Sequence, residues 1–152
     1  MLEAPLHDLN SWVQYFSTQE LPILASSQAK IRELNGKLDD IGLRDITNLV
    51  IHDPLLSLRL VRYLESHRHT SQITDVTTLD RILLMIGLSG FFRSFGASHS
   101  LENKLASYPE ALQGCKRVCY RAYLAARIAS GIATRRRDLD PAEISTTVLL
   151  HN

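Results

Sequence analysis

Residues 46–66 read ITNLVIHDPLLSLRLVRYLES, and the Asp53-Pro54 pair in the middle of that stretch decides the fold. An aspartate just ahead of a helix accepts from the first free backbone amides. A proline at the first helical position lacks only an N–H that had no partner there. The pair therefore predicts a helix start, opening an apolar helix from Leu55 to Leu64. Upstream, Ile46, Leu49 and Val50 recur at three and four, which predicts a helix over about Leu43 to Ile51.

The same reading extends to both sides. Asp8 caps a short helix through Leu9, Trp12, Val13 and Phe16, which ends before the break at Leu21-Pro22. Ser26 or Ser27 starts a helix through Ala29, Ile31 and Leu34, ended by Gly36. Downstream, Thr77-Thr78-Leu79-Asp80 is a box-like cap, with Thr77 as the capping residue, ahead of Ile82 to Ile86 and a stop at Gly87. Ser89 to Gly96 follows and carries Phe91, Phe92 and Phe95. The longest helix runs from about Pro109 to Ala133. Its Leu112, Cys115, Cys119, Ala122, Ala126, Ala129 and Ala133 form a seam of small side chains, which predicts a central packing helix. Asp140 and Pro141, with Glu143, cap a last helix through Ile144, Val148, Leu149 and Leu150 to a stop at Asn152. No segment alternates by two, so the expected class is all-α.

Composition agrees with this and removes several functions. The chain has 152 residues, 45% hydrophobic and 22% charged, which excludes a disordered, collagen-like or coiled-coil protein. At this length one core forms without metal or disulfide staples. Net charge is +1, too small for a global field. The halves differ, however: residues 1–76 hold 7 Lys/Arg against 10 Asp/Glu, and residues 77–152 hold 10 against 6. Cys115 and Cys119 lie one helical turn apart, poor geometry for a disulfide, and read as small buried apolar residues in a reducing cytoplasm. No signal peptide and no run of 18 apolar residues is present, so no membrane partner is expected. The final apolar helix breaks off at Leu149-Leu150-His151-Asn152, as expected of a fragment of a longer domain.

Few residues suggest chemistry. His67-Arg68-His69 offers two imidazoles to a metal, but nearby spacing fixes no further ligand. Phosphate cradles and nucleophile elbows are absent. Asp39-Asp40 sits in a polar segment between Gly36 and Gly42 and reads as a solvated loop. No catalytic residue, metal ligand or cofactor is therefore assigned. The basic cluster is the surface feature that remains. Between Pro109 and Arg137 lie Lys116, Arg117, Arg121, Arg127, Arg135, Arg136 and Arg137 against the single acid Glu110. Arg135 to Arg137 suit a helix C-terminus. Arg117 and Arg121 share the face opposite the seam, and Lys116 and Arg127 share another line. These four are the expected partner-binding residues. Nucleic acid is not expected as a partner, since no groove-reading motif and no stacking aromatics on that face support it.

With these residues placed, the chain resembles the HDOD family, output domains related to the HD phosphohydrolases. The resemblance begins at Leu21-Pro22, continues through Ile46 to Leu56 with its Asp-Pro turn, and includes Ile73 to Gly87, similar to that family's isoleucine loop and following helix. Glu65 and Arg81 depart from the family pattern. Leu124 to Ala129 resembles the alanine-rich helix that carries the first metal histidine in catalytic HD enzymes, and His151-Asn152 stands where those enzymes have His-Asp. Val118 and Cys119 lie near the expected first ligand, and an amide replaces the anionic one.

The resemblance implies a compact multi-helix domain over residues 21–152 after an N-terminal helix or extension at 1–20. Residues 21–100 are the family-specific helices and 101–152 an incomplete HD-related part. It further implies a non-catalytic signalling output or scaffold module in a bacterial protein, meeting other signalling domains or proteins. The apolar helix at the end of the chain is also compatible with a homodimer. Two rivals are a metal-dependent HD phosphohydrolase of nucleotides or cyclic dinucleotides, and a nucleic-acid binder using helix 109–137.

Overall fold

A computed structural model describes residues 5–37, 40–67 and 77–151. Among them are eight helices and no strand: α1 (Leu9–Thr18), α2 (Ala25–Asn35), α3 (Leu43–Ile51), α4 (Pro54–Ser66), α5 (Leu79–Phe95), α6 (Leu101–Lys104), α7 (Pro109–Arg135) and α8 (Pro141–Leu149). The Asp39 half of Asp39-Asp40, Arg68 and His69, the Ile73–Val76 loop and Asn152 lie outside the described residues.

Local chemistry sets most helix starts. Asp8 caps α1 by accepting from Ser11 N at 2.7 Å, and Asp140 caps α8 by accepting from Ala142 N at 2.9 Å. Pro54, Pro109 and Pro141 open α4, α7 and α8. At α5 the capping residue is Thr78, whose Oγ1 accepts from Arg81 N, and not Thr77. The helix begins one residue later because Leu79, Ile82 and Leu83 must all face the core.

The core is built from Ile31 and Leu34 of α2, Ile46 and Val50 of α3, Leu56 and Leu60 of α4, and Leu83, Phe91 and Phe95 of α5. Within α5, Gly87 has φ 69° and ψ 165°, a break between two helical segments. That combination is essentially restricted to glycine. It turns the chain so that Ile82 and Leu83 before it and Phe91 and Phe95 after it all face inward. A Cβ added there would meet nothing within 4 Å, so Gly87→Ala isolates the backbone strain. It should lower unfolding free energy by about 1–3 kcal/mol in urea titration, with native helix content retained by circular dichroism.

Two features depart from expectation. Helix α6, capped by Ser100, is a single turn and too short to leave a helical period in the sequence. It is held by a backbone exchange in which Ile23 N donates to His99 O and Leu101 N to Ile23 O. Helix α7 is not a central packing helix. Cys119, Ala122, Ala126 and Ala133 are buried as the seam predicts, but Cys115 is exposed, as are Leu124, Ile128 and Ile132 on the opposite side. α7 packs along one side only, mainly against α8 and also against α4.

Helix α1 contributes no buried residue. Its C-terminal end is fastened by Arg62, whose guanidinium donates to Phe16 O, Ser17 O and Gln19 O at 2.7–2.8 Å. Those carbonyls lack helical partners at a C-terminus, and a cation is favoured there.

Candidate functional site

The Asp53-Pro54 turn positions the site. Asp53 is fully buried, and its two carboxylate oxygens serve two helices. Oδ1 accepts from Leu55 N at 3.0 Å and Leu56 N at 3.2 Å, which caps α4. Oδ2 accepts from Leu24 N at 2.8 Å, at the N-terminus of α2, and the Ser27 hydroxyl adds a further bond. Burial pushes the Asp53 pKa up, against the opposing pull of these donors.

Glu102 of α6 completes the start of α2 by accepting from Ala25 N at 2.8 Å. Its other oxygen pairs with Lys116 Nζ of α7 at 3.0 Å. Burial raises the carboxyl's pKa, but Lys116 and the backbone donors outweigh it and leave Glu102 below the ordinary value. The start of α2 is thereby tied to α6 and α7, more than 70 residues later in the sequence.

Between α2, α3, α6 and α7 opens a cleft of about 340 Å³. Cys119 and Leu24 form its floor, Glu102, Lys116 and Ser26 its polar rim, and His52, Tyr120 and Tyr123 its aromatic wall. The Cys119 thiol is pushed up to about 11 by burial, with the Asp53 charge adding to the effect. It stays protonated at neutral pH and is a poor nucleophile or metal ligand. The His52 ring lies 4.7 Å from the Tyr123 ring, and the Arg127 guanidinium lies 5.8 Å from the centre of the Tyr123 ring. Arg127 Nη1 also donates to the Tyr123 hydroxyl at 3.3 Å.

The four basic residues singled out on this helix thus divide. Lys116 is committed to Glu102, and Arg127 leans on Tyr123. Arg117 and Arg121 are exposed and make no hydrogen bond or ion pair among the described residues. The expectation that no aromatic shares this surface is corrected. Tyr120 and Tyr123 lie four and seven residues after Lys116 and so fall on the same line as Lys116 and Arg127. That spacing is legible in the sequence. His52 and Glu102 carried no such signal, since distant chain segments deliver them.

The histidines do not gather here. His67 ends α4 stacked on Tyr63 with ring centroids 4.0 Å apart, and His151 is exposed beyond α8. Among the described residues no group of three His, Cys, Asp or Glu side chains is arranged to hold a metal ion. No described helix is long and apolar enough to cross a membrane. A family model described as HDOD domain matches residues 21–152, and no curated protein or solved structure matches the chain.

Proposed function

The chain belongs to the HDOD domain family, and from that premise we propose that residues 21–152 form a non-catalytic output or scaffold domain of cytoplasmic signal transduction that works by contact with another protein or domain. Residues 1–20 then serve as an N-terminal extension carrying α1. The observation behind this reading is the outward face of α7. There the uncommitted Arg117 and Arg121 continue along the helix into exposed Leu124, Ile128 and Ile132. Cations beside exposed aliphatic side chains suit an acidic, partly apolar protein surface. An attached input domain would act by shifting the population in which this face is free.

Natural-length protein carrying a photo-cross-linker at Ile128 should give a discrete adduct in its native cells. Arg117→Glu with Arg121→Glu should reduce that adduct at least fivefold. An adduct unchanged by the double substitution would remove the face from the contact. About one equivalent of a transition metal in protein purified without chelator, together with turnover of a phosphoester, would replace the reading with a phosphohydrolase.

A further inference from the structure

The Lys116, Tyr120, Tyr123 and Arg127 line lies roughly a quarter-turn around α7 from the Arg117/Arg121 face, and the protein-contact reading leaves it unused. We propose that this line, with His52 at the C-terminal end of α3, is a binding track for single-stranded nucleic acid.

Three observations converge on that ligand. The first is the alternation of cation, ring, ring and cation along one line of a continuous helix, in positions i, i+4, i+7 and i+11. Single-strand binders combine cations that follow the backbone with aromatic faces on which bases stack. The second is exposure. Tyr120 is 62% exposed and lines the 340 Å³ cleft. Beside it, the His52 ring lies 4.7 Å from the Tyr123 ring and Arg127 Nη1 donates to the Tyr123 hydroxyl, so that ring is already oriented. The cleft, at about 340 Å³, is large enough to admit a base against the wall formed by His52, Tyr120 and Tyr123. The third is charge. Residues 109–137 carry seven cations and one acid. Lys116 offsets Glu102, the only carboxylate among the described residues on the rim, which leaves Arg127 as the cation of the line that meets a phosphate.

The dimensions agree. Lys116 to Arg127 spans about 16 Å along the helix axis, which corresponds to about five stacked nucleotides at 3.4 Å per residue of a strand. A duplex fits poorly, because its bases present no free faces to the tyrosines. An acidic peptide could meet the cations but would leave the rings without a partner.

The test is fluorescence anisotropy with 3′-labelled oligo-dT and oligo-U of eight nucleotides, a labelled duplex, and a labelled octa-glutamate peptide, at 50 and 200 mM salt. Saturable binding of a single strand is expected, with neither duplex nor peptide binding comparably. Neutralising one phosphate at Arg127 would weaken it about 2.6-fold between the two salt concentrations. Tyr120→Ala should weaken it about tenfold. Tyr120 is exposed, so the variant keeps its fold, which circular dichroism checks. Arg127→Gln should weaken it several-fold, and Arg117→Gln with Arg121→Gln should matter less. Preference for oligo-U over oligo-dT would identify RNA as the natural source, and the reverse would identify DNA. Absence of single-strand binding at 50 mM salt would overturn the proposal. So would equal binding of the peptide, or affinity unaffected by Tyr120→Ala. None of these results bears on cross-linking from Ile128, so the two readings fail separately.

Discussion

Asp53→Ala should lower the unfolding free energy by about 3–4 kcal/mol, the loss of a helix cap combined with buried donors left unpaired. The size follows from the carboxylate's two tasks. Its Oδ1 caps α4 and its Oδ2 holds Leu24 N at the start of α2, in a place with no access for water. Asp53→Asn retains one oxygen and turns an amide N–H toward donors on the other side, so about half the loss is expected. The pH dependence gives an independent check. Burial raises the folded-state pKa above the ordinary value of 3.8, so the native state binds a proton more readily than the unfolded chain. The contribution of Asp53 therefore grows as pH falls from neutrality through the raised pKa toward 3.8, and is constant below it. Urea midpoints at pH 7 and pH 4.5 should show wild type gaining relative to Asp53→Asn on acidification. A gap that narrows instead would mean the donors, and not burial, set the ionisation of this group.

Phe91→Ala should cost about 4 kcal/mol, in the range for emptying a large aromatic site in a packed core. Phe91 is fully buried, edge-on to Phe92 at 5.5 Å and stacked with Phe95 at 5.1 Å between ring centroids. Helix α5 packs against α3 and α4, the helices on either side of the Asp53 turn. The cavity would therefore loosen the elements that hold His52 and the start of α2. Phe91→Leu, closer in volume, should cost under half as much. A shift in urea midpoint equal to that of Phe91→Leu would show that the surrounding rings collapse into the space. Solvent protection of the Leu24 and Ala25 amides, followed by hydrogen exchange, should fall in Phe91→Ala if the turn loosens with the core.

Helix by helix, what could be read without coordinates follows the range of the forces involved. Asp8, Asp53 and Asp140 announce helix starts because a cap and its amides lie within three residues of each other. Gly87 announces a break because the left-handed region that the turn needs is strained for other residues. Thr77, the expected cap, gives way to Thr78, because both hydroxyls suit a cap and only the burial of Leu79 chooses between them. The α7 seam was legible as a period, but a period does not say how much of a helix a neighbour covers. Cys115 sits on that seam and is exposed, because packing against α8 and α4 does not cover it.

The sequence by itself determined that the chain is all-helical, where most of its helices start, and that one long helix carries the excess positive charge. These depend on hydrogen bonds and side-chain periods spanning one or two turns. Tertiary structure alone decided the site. Asp53 reaches back 29 residues to Leu24, and Glu102 reaches 77 residues to Ala25. Those two long contacts set α2 and α6 beside α7, commit Lys116 to a carboxylate, and open the cleft that Tyr120 and Tyr123 border. No local pattern encodes such pairings, because each depends on which helices the shared burial of Ile46, Leu56, Leu83 and Phe91 brings together.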